Sequence, residues 1–195
     1  MVDKPVLRAD AARNRDAILQ AARAVFAERG YLAPLSEVAA AAGVGRATLQ
    51  RRFPTREALI LALVHQNLDR LERLAAELGD ADDGLVTLLT STAWTIADGT
   101  GFIDFLYRPE APRDARRQVA ARLVTIAKPA LERGQDAGLI RADLSANDLV
   151  IIADMLAGSI GHRSPVDTDL ATLTRRTLSL VLDAIRPAPD HNAPR

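Results

Sequence analysis

Residues 46–52 read Arg-Ala-Thr-Leu-Gln-Arg-Arg, a run in which Arg46, Thr48, Gln50, Arg51 and Arg52 all offer hydrogen-bond donors. Arg matches the N7 and O6 acceptors of guanine, and Gln matches the donor and acceptor of adenine, both in bidentate geometry. Arg46 and Gln50 are four residues apart, the spacing that puts two side chains on one face of a helix, and they are the best base readers in the chain. Thr48, Arg52 and Arg56 are expected as phosphate contacts, which set register without reading sequence. Ala47 and Arg51 complete this face, and Ser36 adds a hydroxyl from a neighbouring segment. Spacing alone leaves open that the run is a solvated, arginine-rich turn.

Such residues need elements that hold them at a duplex. Ala, Leu, Arg and Glu recur at three- and four-residue spacing and β-branched alternation is scarce, so the chain is expected to be all-α. A first helix is predicted over 13–29, with Ile18, Ala22, Val25 and Phe26 on one face and Gly30 at its end. Pro34 suits the start of a second helix over 35–42, with Leu35, Val38 and Ala39 inward. Gly43 and Val44 interrupt, and a third helix over 45–52 follows, anchored by Leu49 and Phe53. Two short helices joined by a Gly-containing turn are the helix-turn-helix plan, whose second helix enters the major groove. Thr55 is expected to cap a fourth helix reaching Leu78, with Ile60, Val64, Asn67, Leu71, Leu74 and Leu78 along one stripe.

Beyond the turn-rich segment 79–84, helices are expected over 85–97, 113–133, 146–160 and 168–185, with a short turn over 102–107 and a break over 134–138. The chain therefore divides into a helix-turn-helix domain (8–56), a connecting helix (57–79), a body (80–187) and a Pro-rich tail (188–195), expected to be disordered.

Charge follows the same division. The 195 residues are neutral overall, yet residues 1–56 hold ten Lys or Arg against five acids, and the remainder fifteen against twenty. A basic head on an acidic body suits a polyanion partner at the N-terminal end. The chain has no cysteine, which excludes disulfides, thiolate metal sites and cysteine nucleophiles. With His65, His162 and His191 scattered, no metal site is expected, and no cofactor either. No stretch of about eighteen apolar residues suggests a membrane span and the first ten residues do not read as a signal peptide, so a cytoplasmic location is expected.

Gly30-Tyr31, Ala33-Pro34-Leu35, Val38-Ala39, Ala42-Gly43-Val44-Gly45-Arg46-Ala47-Thr48-Leu49 and Arg51-Arg52-Phe53-Pro54-Thr55-Arg56-Glu57-Ala58-Leu59 follow one another in order. Together they resemble the N-terminal signature of the tetracycline-repressor (TetR) family over about residues 13–63. The resemblance implies a DNA-binding transcriptional regulator, by the family's usual mode a repressor. It departs from the family's pattern at Gln50, where Tyr is commoner and usually touches DNA, which leaves the operator sequence open but not the binding mode; Arg52 and Arg56 stand where His or Tyr and Lys are commoner and keep a phosphate-capable donor.

The same resemblance implies a C-terminal domain that binds a small-molecule effector, of unknown identity here, and forms a homodimer through the helices 146–160 and 168–185. Leu149, Val150, Ile151, Ile152, Met155, Leu156 and Ile160 make the first of these apolar round most of its circumference, and Gly158 and Gly161 would allow close approach. A two-fold dimer would carry its recognition helices to half-sites about 34 Å apart, so the expected operator is a double-stranded palindrome. Trp94, Asp98, Phe102, Phe105, Met155 and His162 are the candidates for an effector pocket, each with a plainer role in core, helix end or loop. Two other readings stay open. A helical interaction module would show no salt-dependent affinity for duplex DNA. An enzyme would need a hidden site, such as Asp98, His162 and Ser164, since no nucleotide-binding, hydrolase or zinc-protease motif occurs, and no catalytic residue is expected.

Overall fold

The structure, a computed structural model, describes residues 4–30, 32–99, 105, 113–161 and 169–188, with side chains from residue 13 onward. Eight helices make up the described residues: α1 (Lys4–Arg29), α2 (Leu35–Ala41), α3 (Arg46–Arg52), α4 (Arg56–Leu78), α5 (Gly84–Asp98), α6 (Arg113–Asp136), α7 (Asp148–Gly161) and α8 (Leu170–Ile185). The all-helical expectation holds.

Ile18, Leu19, Ala22 and Phe26 of α1 are fully buried, with Val38 and Ala39 of α2, Leu49 of α3 and Phe53 just beyond it in the same core. Gly43 makes the turn between α2 and α3 possible: its φ is +64°, a conformation open to glycine at little cost. The Val44 N–H then reaches the Ala39 carbonyl at 3.0 Å, closing the end of α2. Thr55 caps α4 as expected, its hydroxyl accepting from Ala58 N at 3.1 Å.

Two boundaries differ from expectation by more than two residues. The first helix begins at Lys4 rather than residue 13, since 6–12 contain no breaker and Pro5 falls in the first turn, where its missing N–H costs no intrahelical bond. The helix predicted to stop at 133 runs through Gly134 to Asp136. Gly134 is there for space: a Cβ would lie 2.6 Å from Ile140 Cγ1, so the chain that turns back at Gly138 can pack against the helix it has just left.

In the body, α5 is central, packing on α4, α6, α7 and α8. Leu85, Leu88, Leu89, Ala93, Ile96 and Ala97 are buried along it, and the hydroxyls of Thr90 and Thr92 donate to the carbonyls of Val86 and Leu88, each at 2.8 Å. Entry to α7 is fixed by a turn in which Asp148 Oδ2 accepts from both N and Oγ of Ser145 at 2.7 Å. Asp169 caps α8, accepting from Thr172 N at 3.0 Å. No helix among the described residues is long and apolar enough to cross a membrane.

Candidate nucleic-acid interface and body cavity

Leu49 is the one buried residue of α3. It pins the helix by one side, and Phe53 pins its exit, leaving Arg46, Ala47, Gln50, Arg51 and Arg52 exposed and Thr48 half-buried. Among the described residues, no hydrogen bond or ion pair engages Arg46, Arg51 or Arg52. Three guanidiniums and one carboxamide thus stand on a short helix held from behind. Ser36, Arg46 and Gln50 border a single groove of about 270 Å³ between α2 and α3, floored by Leu35, Leu49, Phe53 and Pro54. The groove gathers the expected hydroxyl donor and both expected base readers on one side of the domain.

Arg56 is the exception. Its Nη1 donates to the Ala33 carbonyl at 2.7 Å, and its guanidinium carbon lies 5.9 Å from the centre of the Phe26 ring. The head is turned inward, where it ties the start of α4 to the loop between α1 and α2, instead of presenting outward as a phosphate contact. The buried carbonyl of Ala33 explains the direction, because a backbone acceptor away from water needs a donor.

Farther along, Arg23 of α1 donates through Nη2 to Asn67 Oδ1 at 2.7 Å and to Gln66 Oε1 at 3.3 Å, both on α4. Burial, then the neighbouring Arg70, lowers the Arg23 pKa, while Asp98 opposes the shift. Asn67 breaks an otherwise apolar stripe, and that break is the sequence signal of this junction. On the other flank, Arg122 of α6 donates to Asp69 Oδ1 at 2.6 Å and Glu72 Oε2 at 2.5 Å, binding α4 to the body. The fourth helix is therefore held by α1 on one side and α6 on the other.

An inner cavity of about 120 Å³ lies among α4, α5, α6 and α7, with Val64, Leu71, Ile96 and Leu123 in its apolar wall and Asn67, Ser91 and Thr95 among its polar groups. None of the described pocket candidates borders it. Trp94, Asp98 and Met155 are exposed, Phe105 is buried in the core, and Phe102 and His162 lie outside the described residues. Ile151 and Met155, one turn apart on α7, are 57% and 58% exposed, and Leu180 of α8 is 53% exposed. Space beside Gly158 and Gly161 is open, with nothing within 4 Å of where a Cβ would stand.

The profile of bacterial regulatory proteins, tetR family, matches residues 18–63. A TetR transcriptional regulator from Streptomyces coelicolor is 32% identical, with 90% of this chain and 99% of that one covered at a TM-score of 0.61. A TetR transcription regulatory protein from Mycobacterium vanbaalenii is 28% identical over 93% of this chain and 99% of that one, with a TM-score of 0.66. The HTH-type transcriptional repressor LfrR of Mycolicibacterium smegmatis is 45% identical over 74 residues, 38% of each chain. The matched stretch spans about two fifths of the length of such curated relatives. With the helix-turn-helix match at its N-terminus and full-length similarity to a solved member, the chain belongs to the tetR family of bacterial transcriptional regulators.

Proposed function

We propose that the protein is a homodimeric repressor that holds a palindromic operator and releases it when a small molecule enters the body. The observation that carries the DNA-binding part is α3, a seven-residue helix with Leu49 buried and Arg46, Gln50, Arg51 and Arg52 presented outward without intrachain partners. In this reading Arg46 and Gln50 read base edges, Ser36, Ala47, Thr48, Arg51 and Arg52 contact backbone or groove, and Arg56 supports the domain from inside. Residues 8–56 are the DNA-binding unit, 57–79 the rod, 80–187 the body, and the protein works in the cytoplasm. Membership of a family of regulators also removes the ground for a hidden enzyme.

Exposed Ile151, Met155 and Leu180 support dimerisation through α7 and α8, since large exposed apolar side chains gain by burial against a second copy. The inner cavity touches α4 through Val64, Asn67 and Leu71, so a ligand there would displace the rod that carries the DNA-binding unit. Coupling of this kind is reciprocal: operator must weaken effector binding by the factor by which effector weakens operator binding.

Selection of duplexes from a random library, sequenced after binding at two salt concentrations, tests the reading. Enrichment of a palindrome with affinity that falls steeply with salt is the expected result. No enriched sequence at either salt would reject it in favour of an interaction module.

A further inference from the structure

The cavity among α4, α5, α6 and α7 has a neighbour. A second recess, about 420 Å³, opens between the first turns of α6 and α7 and shares Val119, Leu123 and Ala153 with the inner chamber. A molecule entering the one can therefore extend into the other. The two differ in chemistry: the inner wall is dominated by aliphatic side chains, whereas, among the described residues, the recess is bordered by Arg113, Arg116 and Arg117 with Asp154 as the one carboxylate. Arg70, at the inner chamber, adds a further positive charge. Arg116 and Asp154 have interactions within the protein, and Arg117 lies 3.9 Å from the exposed Asp114, a loose pair. No hydrogen bond or ion pair among the described residues engages Arg70 or Arg113.

The placement of these arginines works against the helix that bears them. Three stand within the first five residues of α6, at the end where the helix dipole favours negative charge. The dipole therefore does not account for them, and an anion in the recess would be favoured by the guanidiniums and the dipole together. Val150 and Ala153 lie about 80–160° round α7 from Ile151, Met155 and Gly158, the face offered to a second copy, whereas Asp154, four residues before Gly158, borders that face.

We propose that the effector is an amphiphilic anion, its negatively charged head held by Arg113 and Arg117 in the recess and its apolar chain passing Leu123 into the inner chamber. The inference rests on the reading of the body as an effector-binding domain and adds the chemical class. Calorimetric titration of the full-length protein with decanoate, decanol and decyltrimethylammonium, all below their micellar concentrations, tests it. Decanoate is expected to saturate, decanol to bind about tenfold or more weakly, and the cation not to bind. Replacing both Arg113→Gln and Arg117→Gln, exposed positions that leave the core intact, should weaken decanoate about tenfold and leave decanol unchanged. Leu123→Trp, which fills the shared wall, should abolish both. Equal binding of all three probes, tighter binding of the cation, or indifference to the arginine substitutions would overturn the anionic head while leaving an effector domain standing. Failure of every probe to bind would overturn the proposal, and the effector reading would then fall only if no compound of any class released the operator.

Discussion

Arg23 on α1 and Asn67 on α4 meet at 2.7 Å, a charged donor on a neutral acceptor, half-buried where the two helices pack. The pair fixes how α4 leaves the N-terminal domain. Gln66, at 3.3 Å, is a longer second acceptor.

Asn67→Ala is expected to destabilise the fold by about 1–2 kcal/mol, because hydrogen bonds to charged groups exceed neutral ones and the guanidinium is left under-satisfied. Replacing both partners with apolar side chains, Arg23→Met with Asn67→Leu, should cost less than the single change. Denaturant midpoints of the three proteins check the order; a double variant less stable than Asn67→Ala would show that the other partners of Arg23, Gln66 among them, outweigh this bond.

On α3, Arg46→Ala should weaken operator binding by about 1–3 kcal/mol with little effect on random duplex, the signature of a lost base contact. Arg52→Ala should weaken both equally and reduce the slope of log affinity against log salt by about one. Titrations on operator and random DNA at several salt concentrations separate the two roles. Equal losses for Arg46→Ala would reassign it to a phosphate.

Arg56 gives the opposite expectation. With its Nη1 on the Ala33 carbonyl, Arg56→Ala should lower the stability of the protein by about 1–3 kcal/mol, the range for orphaning a buried acceptor. The salt slope of DNA binding should stay unchanged. A reduced slope with unaltered stability would return Arg56 to the DNA face.

These residues also mark how far local pattern reaches. Ile18, Ala22 and Phe26 follow the 3.6-residue period and are buried as it predicts, but Leu19 lies beside that stripe and is buried too, because α1 packs against both α2 and α4. Motif position marks residue 56 as a cation, whereas the direction of its side chain depends on a carbonyl 23 residues earlier, which no local spacing encodes. Trp94 and Met155 are attractive as pocket residues for their size, yet the helical turn carries them outward. Small side chains such as Ser91 and Thr95 take the positions that face the cavity, and nothing in their type distinguishes them from any exposed hydroxyl.

The proposed dimer face lends itself to a test that leaves the core untouched. Ile151→Asp with Met155→Asp places two carboxylates at exposed positions, so each protomer should still fold, while sedimentation should shift from dimer to monomer. Operator affinity should fall by about tenfold or more, because one recognition helix cannot hold two half-sites. A variant that remains dimeric would place the interface elsewhere.

Entry to α7 and α8, the helices of that face, depends on two carboxylates, and both make it sensitive to acid. Backbone N–H donation from Ser145, with its hydroxyl second, holds Asp148 below the ordinary carboxylate range, and side-chain followed by backbone hydrogen bonding from Thr172 does the same for Asp169. A folded-state pKa below the unfolded one means that the unfolded chain binds more protons, so stability rises with pH through this window. The contribution is complete above the unfolded value of about 3.9 and is lost as pH falls through the depressed folded values. Asn keeps an oxygen acceptor at both positions but does not titrate. Asp148→Asn with Asp169→Asn should therefore unfold with a shallower loss of stability between about pH 5 and pH 3 than the unaltered chain, while retaining most of its stability near neutrality. Denaturant melts across that range measure it, and parallel acid limbs for the two proteins would show that these caps take no part in the acid response.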